Sequence, residues 1–314
     1  MSIIRKYISD VKNVSWFSYD ENSDSIYYQE NNVDISNNKR HSKLFKLELD
    51  TNTSSKVTDG DNDSIPKISP DGKKLAYIRK NKISGKLTLN SLYIKDLTNN
   101  DESQITSDNQ TISTAYDSNG SFNWNHESNQ IAYTYRNIVE RDDDSEPYEV
   151  NRIRYRQDVI GWLGDELNNI EIYSLSNKQT ISIPNTGGDD THPVFSRNNK
   201  YIAFISDEGD TRDTHWREDI HLYEIESSKR SRISSYFNGI GSITWGKDDE
   251  SLYVIGTSEN KEGDGRNSSL YKINIKNNDI SNLNSEEFAF NPQSNLKIIN
   301  NNLRVTYTDK GVSK

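Results

Sequence analysis

Short apolar runs separated by polar turn residues recur along the whole chain, at the spacing of β-hairpins. The clearest instance is Pro66-Lys67-Ile68-Ser69-Pro70-Asp71-Gly72-Lys73-Lys74-Leu75-Ala76-Tyr77-Ile78. Ile68 closes one strand, Pro70-Asp71-Gly72 supplies a turn in which proline presets φ and glycine accepts a positive φ, and Leu75 opens the next strand. Equivalent stretches join Val14–Ser18 to Ile26–Tyr28, Ser121–Trp124 to Ile131–Tyr133, His192–Ser196 to Tyr201–Phe204, Ser242–Trp245 to Leu252–Val254, and in a weaker form Leu296–Ile298 to Arg304–Tyr307. Ile68, Trp124, Phe195, Trp245 and Ile298 each precede their partners Leu75, Ile131, Ile202, Leu252 and Val305 by the same seven positions. The first copy, turning through Asp20–Asp24, is expected to have a longer turn than the second.

After each hairpin comes a run that mostly alternates apolar with polar, as a half-buried strand does: Leu44–Leu49, Leu92–Leu97, Ile170–Leu175, Ile220–Ile225 and Leu270–Ile275. A shorter fourth strand is expected at Lys56–Thr58, Gln104–Thr106, Thr180–Ile183, Arg232–Ser234 and Ile280–Leu283. Four strands in a unit of roughly 50 residues is the pattern of a β-propeller blade. The expected fold is therefore all-β, with complete blades over 14–60, 65–107, 121–183, 192–235 and 242–284 and a partial sixth over 296–314, so that 1–314 forms a single incomplete propeller. The sixth copy stops where its third strand should begin. An open array exposes strand edges and apolar faces, so the expectation is a truncated, marginally stable or aggregation-prone chain, with a five-bladed ring and C-terminal tail as the alternative.

Hydrophobic residues make up only 31% of the chain, poor material for a large core, but 18 Tyr and 5 Trp supply side chains that strands favour. A net charge of -10 argues against a nucleic-acid partner or an anionic membrane surface, both of which need a basic face. There is no cysteine, hence neither a disulfide nor a thiolate metal site. Met1–Asp10 lacks the apolar run of a secretory signal, and no segment approaches transmembrane length, so a cytoplasmic location is expected.

The residues resemble the amino-terminal propeller of the prolyl oligopeptidase family of serine peptidases, closest to its acylaminoacyl-peptidase and dipeptidyl-peptidase-like branch. Ile68–Tyr77 is similar to the propeller repeat shared with the TolB protein. The more specific run is Val150-Asn151-Arg152-Ile153-Arg154-Tyr155-Arg156-Gln157-Asp158, then Gly161-Trp162-Leu163, Asp189–Ser196, Ile202–Asp207, Asp210, Trp216-Arg217 and Asp219–Tyr223. Two departures leave turn geometries open: Val159 stands where the family often has glycine, and Arg197-Asn198-Asn199 replaces Pro-Asp-Gly in copy four. The resemblance implies a non-catalytic domain that gates peptide substrates for an α/β-hydrolase domain carrying Ser, Asp and His. No Gly-x-Ser-x-Gly elbow occurs here and no histidine follows His221, so these residues alone are expected not to hydrolyse peptides. The alternatives are a stand-alone TolB-like propeller that binds a protein partner, and a sugar-processing propeller, which needs converging inward acids.

Candidate chemistry is sparse. In the long insertion between Arg136 and Asn168, a strand would place Arg152, Arg154 and Arg156 on one face, where they could hold a substrate carboxylate or the hydrolase domain. The competing reading pairs them with Glu146, Glu149 and Asp142-Asp143-Asp144 in an ordinary surface network. Asp59-Gly60-Asp61-Asn62-Asp63 starts like a calcium loop, but Ser64 and Pro70 occupy the positions that need glycine and an acid. His41, His126, His192, His215 and His221 form no metal-binding spacing, and Trp124 and Trp245 fall at core positions of the repeat. No metal or cofactor is expected.

Overall fold

The computed structural model describes residues 11–84, 87–112, 120–138, 150–153, 155–157, 161–162, 164–209, 214, 217–258, 267–284, 290, 296–299, 302–309 and 312–313. The chain packs as two compact units, Met1–Ile112 and Ser113–Lys314. Every regular element among the described residues is a strand.

The first unit holds two antiparallel four-stranded sheets. Sheet 1 is β1 (Asn13–Asp20), β2 (Ser25–Asp34), β3 (Lys39–Glu48) and β4 (Thr53–Lys56); sheet 2 is β5 (Asp63–Ile68), β6 (Lys74–Ser84), β7 (Leu87–Asp96) and β8 (Glu102–Gln104), each in sequence order. A short β9 (Gln110–Thr111) follows, its Thr111 hydroxyl accepting the Asn90 N–H of β7.

In the second unit, β10 (Phe122–Trp124) and β11 (Gln130–Asn137) are followed by a small hairpin, β12 (Arg156–Gln157) with β13 (Gly161–Trp162). Sheet 3 then continues with β14 (Asn169–Ser174) and β15 (Gln179–Ser182). Sheet 4 is β16 (Asp190–Phe195), β17 (Tyr201–Ser206), β18 (Asp219–Glu224) and β19 (Lys229–Arg232). Sheet 5 is β20 (Phe237–Trp245), β21 (Ser251–Ser258), β22 (Ser269–Asn274) and β23 (Ile280–Asn282). Two short pairs close the chain, β24 (Lys297–Ile299) with β25 (Asn302–Arg304), and β26 (Thr308–Asp309) with β27 (Val312–Ser313).

The seven-residue spacing is a strand register. Ile68 pairs Leu75, Trp124 pairs Ile131, Phe195 pairs Ile202 and Trp245 pairs Leu252. Tyr19 pairs Ile26 in the same way, so the first turn is no longer than the others; β1 simply runs on to Asp20. The sixth copy departs from the rule, because Ile298 pairs Leu303 rather than Val305 across a tighter turn.

The fourth strands lie two to three residues earlier than expected, except in sheets 3 and 5. The apolar residues that marked them sit at the strand ends and close the sheets by single hydrogen bonds. The N–H groups of Val57, Ile105, Ile183, Ile233 and Leu283 donate to the carbonyls of Leu44, Leu92, Ile170, Ile220 and Leu270, always thirteen positions back. In three sheets the next side chain accepts the N–H of that same third-strand residue: Thr106 from Leu92, Ser234 from Ile220 and Asn284 from Leu270.

Turn chemistry is also shared. Ser69 Oγ donates to Asp71 Oδ1 and accepts the Lys74 N–H, while Asp71 Oδ1 accepts the Lys73 N–H. Ser196, Asn198, Lys200 and Tyr201 repeat these bonds, so Arg197-Asn198-Asn199 makes the same turn as Pro70-Asp71-Gly72. Gly72 (φ 70°) is matched by Ser128 (60°), Asn199 (55°) and Asp249 (54°), all left-handed. Asn and Asp tolerate that conformation better than other side-chain residues, and here they use their side chains. Asp249 accepts the Arg197 and Asn198 N–H groups at 2.6 and 3.1 Å, and Asn199 accepts the His126 N–H at 3.3 Å, tying each turn to that of the preceding sheet.

The core lies between sheets. Tyr27 and Leu44 of sheet 1 meet Leu75 and Tyr77 of sheet 2. Ile170, Ile172 and Ile183 of sheet 3 meet Ile202, Phe204 and Tyr223 of sheet 4, whose opposite face sets Ala203, Ile205 and Ile220 against Ile243, Trp245 and Val254 of sheet 5. Trp245, whose indole N–H donates to the Val194 carbonyl, fills the expected core position, while Trp124 is half-buried. Because Phe204 is wholly buried at such an interface, Phe204→Ala is expected to cost about 3–5 kcal/mol in equilibrium urea unfolding. Ile181→Ser, on an exposed outer strand, should stay within about 0.5 kcal/mol.

Candidate functional site

Two buried charge clusters stand out against this apolar packing. Both are built on an aspartate five residues before the end of a first strand, Asp63 before Ile68 and Asp190 before Phe195, and both carboxylates are wholly buried. A buried carboxylate needs a cation and hydrogen bonds to offset lost hydration.

In sheet 2 the cation is Arg79 of β6, whose Nε and Nη2 hold Asp63 at 2.7 and 2.9 Å. The guanidinium also binds Glu102 and lies over the ring of Tyr93, and the Tyr77 hydroxyl donates to Glu102. Burial and this bond to a carboxylate push the Tyr77 phenol well above its ordinary range, so it stays protonated.

In sheet 4 the cation comes from the far edge. Arg230 of β19 reaches back to hold Asp190 with Nη1 and Nη2 at 2.6 and 3.1 Å, and donates to Ser206 Oγ, Glu208 Oε2 and the Pro184 carbonyl. It lies over Phe204, and its Nε donates to His221 Nδ1 at 3.2 Å. Burial pushes the Asp190 carboxyl up despite the opposing pull of Arg230.

Ser206, His221 and Asp190 thus share one cluster without forming a nucleophilic triad. His221 Nδ1 takes its hydrogen bond from Arg230 rather than from Ser206, so Nε2 carries the proton of the neutral ring. That atom is buried without a hydrogen-bond partner, with Glu208 Oε2 at 3.7 Å. A base blocked by a guanidinium cannot activate a hydroxyl. Burial, and then the charge of Arg230, hold the imidazole at about 4, below its ordinary 6.5.

Of the arginines singled out from the sequence, Arg152 and Arg156 belong to neither hydrogen-bonded cluster. Arg152 is half-buried in a bend, Arg156 is exposed and opens β12, and Arg154 lies outside the described residues. Glu146, Glu149 and Asp142–Asp144 also lie outside them. Among the described residues, no group of three or more His, Asp or Glu side chains could hold a metal ion. Asp63 and Asp190 stand at one repeat position, which the sequence reading did not single out. Nor did it reach their partners, because Arg79 comes from a second strand and Arg230 from a fourth.

Arg230→Met leaves Asp190 buried without its cation and is expected to destabilise the chain by about 3–5 kcal/mol in urea unfolding. His221 has a folded pKa below its unfolded one, so its contribution is present above pH 6.5 and is lost as the pH falls towards 4. That loss amounts to about 3 kcal/mol. His221→Gln keeps an acceptor for Arg230 and should flatten the stability profile across this window, measured by unfolding at stepped pH.

No family model and no curated protein sequence matches the chain. Solved structures do. Acylaminoacyl peptidase from Pyrococcus horikoshii superposes with a TM-score of 0.68 at 16% identity, over 96% of this chain and 44% of that one. Dipeptidyl peptidase 4 from Porphyromonas gingivalis superposes at 0.58 and 13% identity, over 100% of this chain and 47% of that one. The chain therefore spans less than half the length of these peptidases. The β-propeller domain of the Trilobed protease from Pyrococcus furiosus superposes at 0.62 and 15% identity, over 97% of this chain and 80% of that one. With five antiparallel sheets built on four strands and three two-stranded pairs among the described residues, the chain has a β-propeller fold like the propeller domains of these peptidases.

Proposed function

We propose that this propeller is the substrate-gating domain of a prolyl-oligopeptidase-family serine peptidase of the acylaminoacyl-peptidase branch. It works in the cytoplasm beside an α/β-hydrolase domain that supplies the serine, aspartate and histidine. The observation that carries this reading is the agreement in fold with less than half of a peptidase over nearly all of this chain. The run from Val150 to Trp162 and the stretch Asp189–Ser196 support it from the sequence. The role is steric: the propeller admits short or unfolded peptides to a hydrolase and turns folded proteins away. Nothing in such a role requires reactive groups, in keeping with the Arg230 cluster, whose serine and histidine are not aligned for attack. Arg152, Arg154 and Arg156 are the proposed contacts to substrate carboxylate or hydrolase.

Reading the coding DNA beyond the Lys314 codon in all three frames tests the proposal. The expected result is a Gly-x-Ser-x-Gly elbow followed by Asp and His. If no hydrolase is encoded there, the gating role fails and a stand-alone binding propeller takes its place. The purified 314-residue chain is expected to leave acylated peptides uncut and to resist labelling by a fluorophosphonate.

A further inference from the structure

Residues 184–189 lead from β15 of sheet 3 to β16 of sheet 4, and two hydrogen bonds tie them to the Arg230 cluster. Arg230 Nη1 donates to the Pro184 carbonyl at 2.9 Å, and Thr186 Oγ1 donates to Glu208 Oε2 at 2.5 Å. The segment lies close over the cluster: a Cβ on Gly188 would stand 2.6 Å from the Glu208 nitrogen and 2.7 Å from Ser206 Oγ, so only glycine fits. Gly187, at φ 106° with open space where a Cβ would stand, supplies a hinge that other residues cannot. At the far end Asp207 accepts the Asp189 N–H at 2.6 Å.

Both ties meet His221. Its Nδ1 accepts from Arg230 Nε, and its buried Nε2 stands 3.7 Å from Glu208 Oε2 without a hydrogen-bond partner. A proton on this ring alters both contacts at once. Nδ1 turns from acceptor to donor and opposes the Arg230 N–H, so the guanidinium, and with it the bond to Pro184, is pushed away. The imidazolium attracts the Glu208 carboxylate in competition with Thr186.

Among the described residues, the other charged groups around the ring are Asp190 of β16 and Arg232 of β19, with Asp189 and Asp207 at the far end of the segment. The side chains that sheet 3 packs against sheet 4 are apolar: Ala132, Ile170, Ile172 and Ile183. We propose that residues 184–189 form a strap over the seam between sheets 3 and 4, and that a proton on His221 releases this strap while the sheets stay folded. The inference is independent of the gating role.

Opening the strap lets water reach the ring, so the open form takes up the proton near the ordinary 6.5 and the closed form only at about 4. The closed form is therefore favoured above pH 6.5 and loses ground as the pH falls. Between pH 7.5 and pH 5 the open population should rise by roughly thirtyfold. Hydrogen exchange on the full chain, read by peptide mass spectrometry, tests this. It compares the strap, whose Gly187, Asp189 and Asp190 amides are hydrogen-bonded, with β21 in the seam between sheets 4 and 5. The strap has the same sequence in wild type and in His221→Gln, so intrinsic exchange rates cancel from the ratio of the two proteins. That ratio is expected to rise by this factor in the strap and to stay level in β21. A level ratio in the strap overturns the proposal, and an equal rise in the two proteins would assign the trigger to a carboxylate such as Asp190. A rise of the same size in β21 also overturns it, as unfolding of the whole unit. Should His221→Gln fail to fold, exchange of the strap relative to β21 in the wild type gives the same reading.

Discussion

A sheet of four short strands cannot stand alone in water, because its second and third strands bury their side chains only if another sheet lies on each face. That requirement shapes the rest of this chain. Ile202 and Phe204 turn towards sheet 3 while Ala203 and Ile205 turn towards sheet 5, so one six-residue strand serves two interfaces. The hydrogen bond from each closing residue to a carbonyl thirteen positions earlier places Val57, Ile183 and Ile233 in those same interfaces. Edge closure and inter-sheet packing are therefore one feature, carried by a single aliphatic residue per sheet.

Polar groups reinforce the stack where the apolar contact ends. The turns are tied in series by Asn199 and Asp249, which adopt the left-handed conformation that Gly72 supplies in sheet 2. First strands carry a second left-handed position at Trp16, Ile65 and His192, each three residues before the equivalent positions Tyr19, Ile68 and Phe195. For Ile65, a β-branched residue, that conformation is strained. Its N–H is held by Gln29 of sheet 1, so a contact between sheets helps to maintain it.

The charge clusters complete the picture of a scaffold. Arg230 draws together β16, β17, β18 and the segment leading out of sheet 3, and it does so by occupying the hydrogen-bonding positions that a catalytic serine and histidine would need for each other. Such a cluster gives orientation rather than reactivity.

The four-stranded unit, its five complete copies and their hairpin register were legible in the sequence, because apolar alternation and turn residues are local signals with fixed periods, whereas the short β9, β12, β13, β26 and β27 and the register of the sixth copy were not. The spacing of seven between Phe195 and Ile202 already stated which residues pair. What the sequence by itself could not determine depends on atoms brought together from distant positions. Asn198 and Asn199 form the same turn as Asp71 and Gly72 because side-chain acceptors substitute for one another, which residue identity alone left open. Arg79 and Arg230 both serve an aspartate at one repeat position, yet from different strands, so no sequence offset links them. Burial belongs to the neighbour as much as to the residue, and only the tertiary structure shows where a neighbour stands.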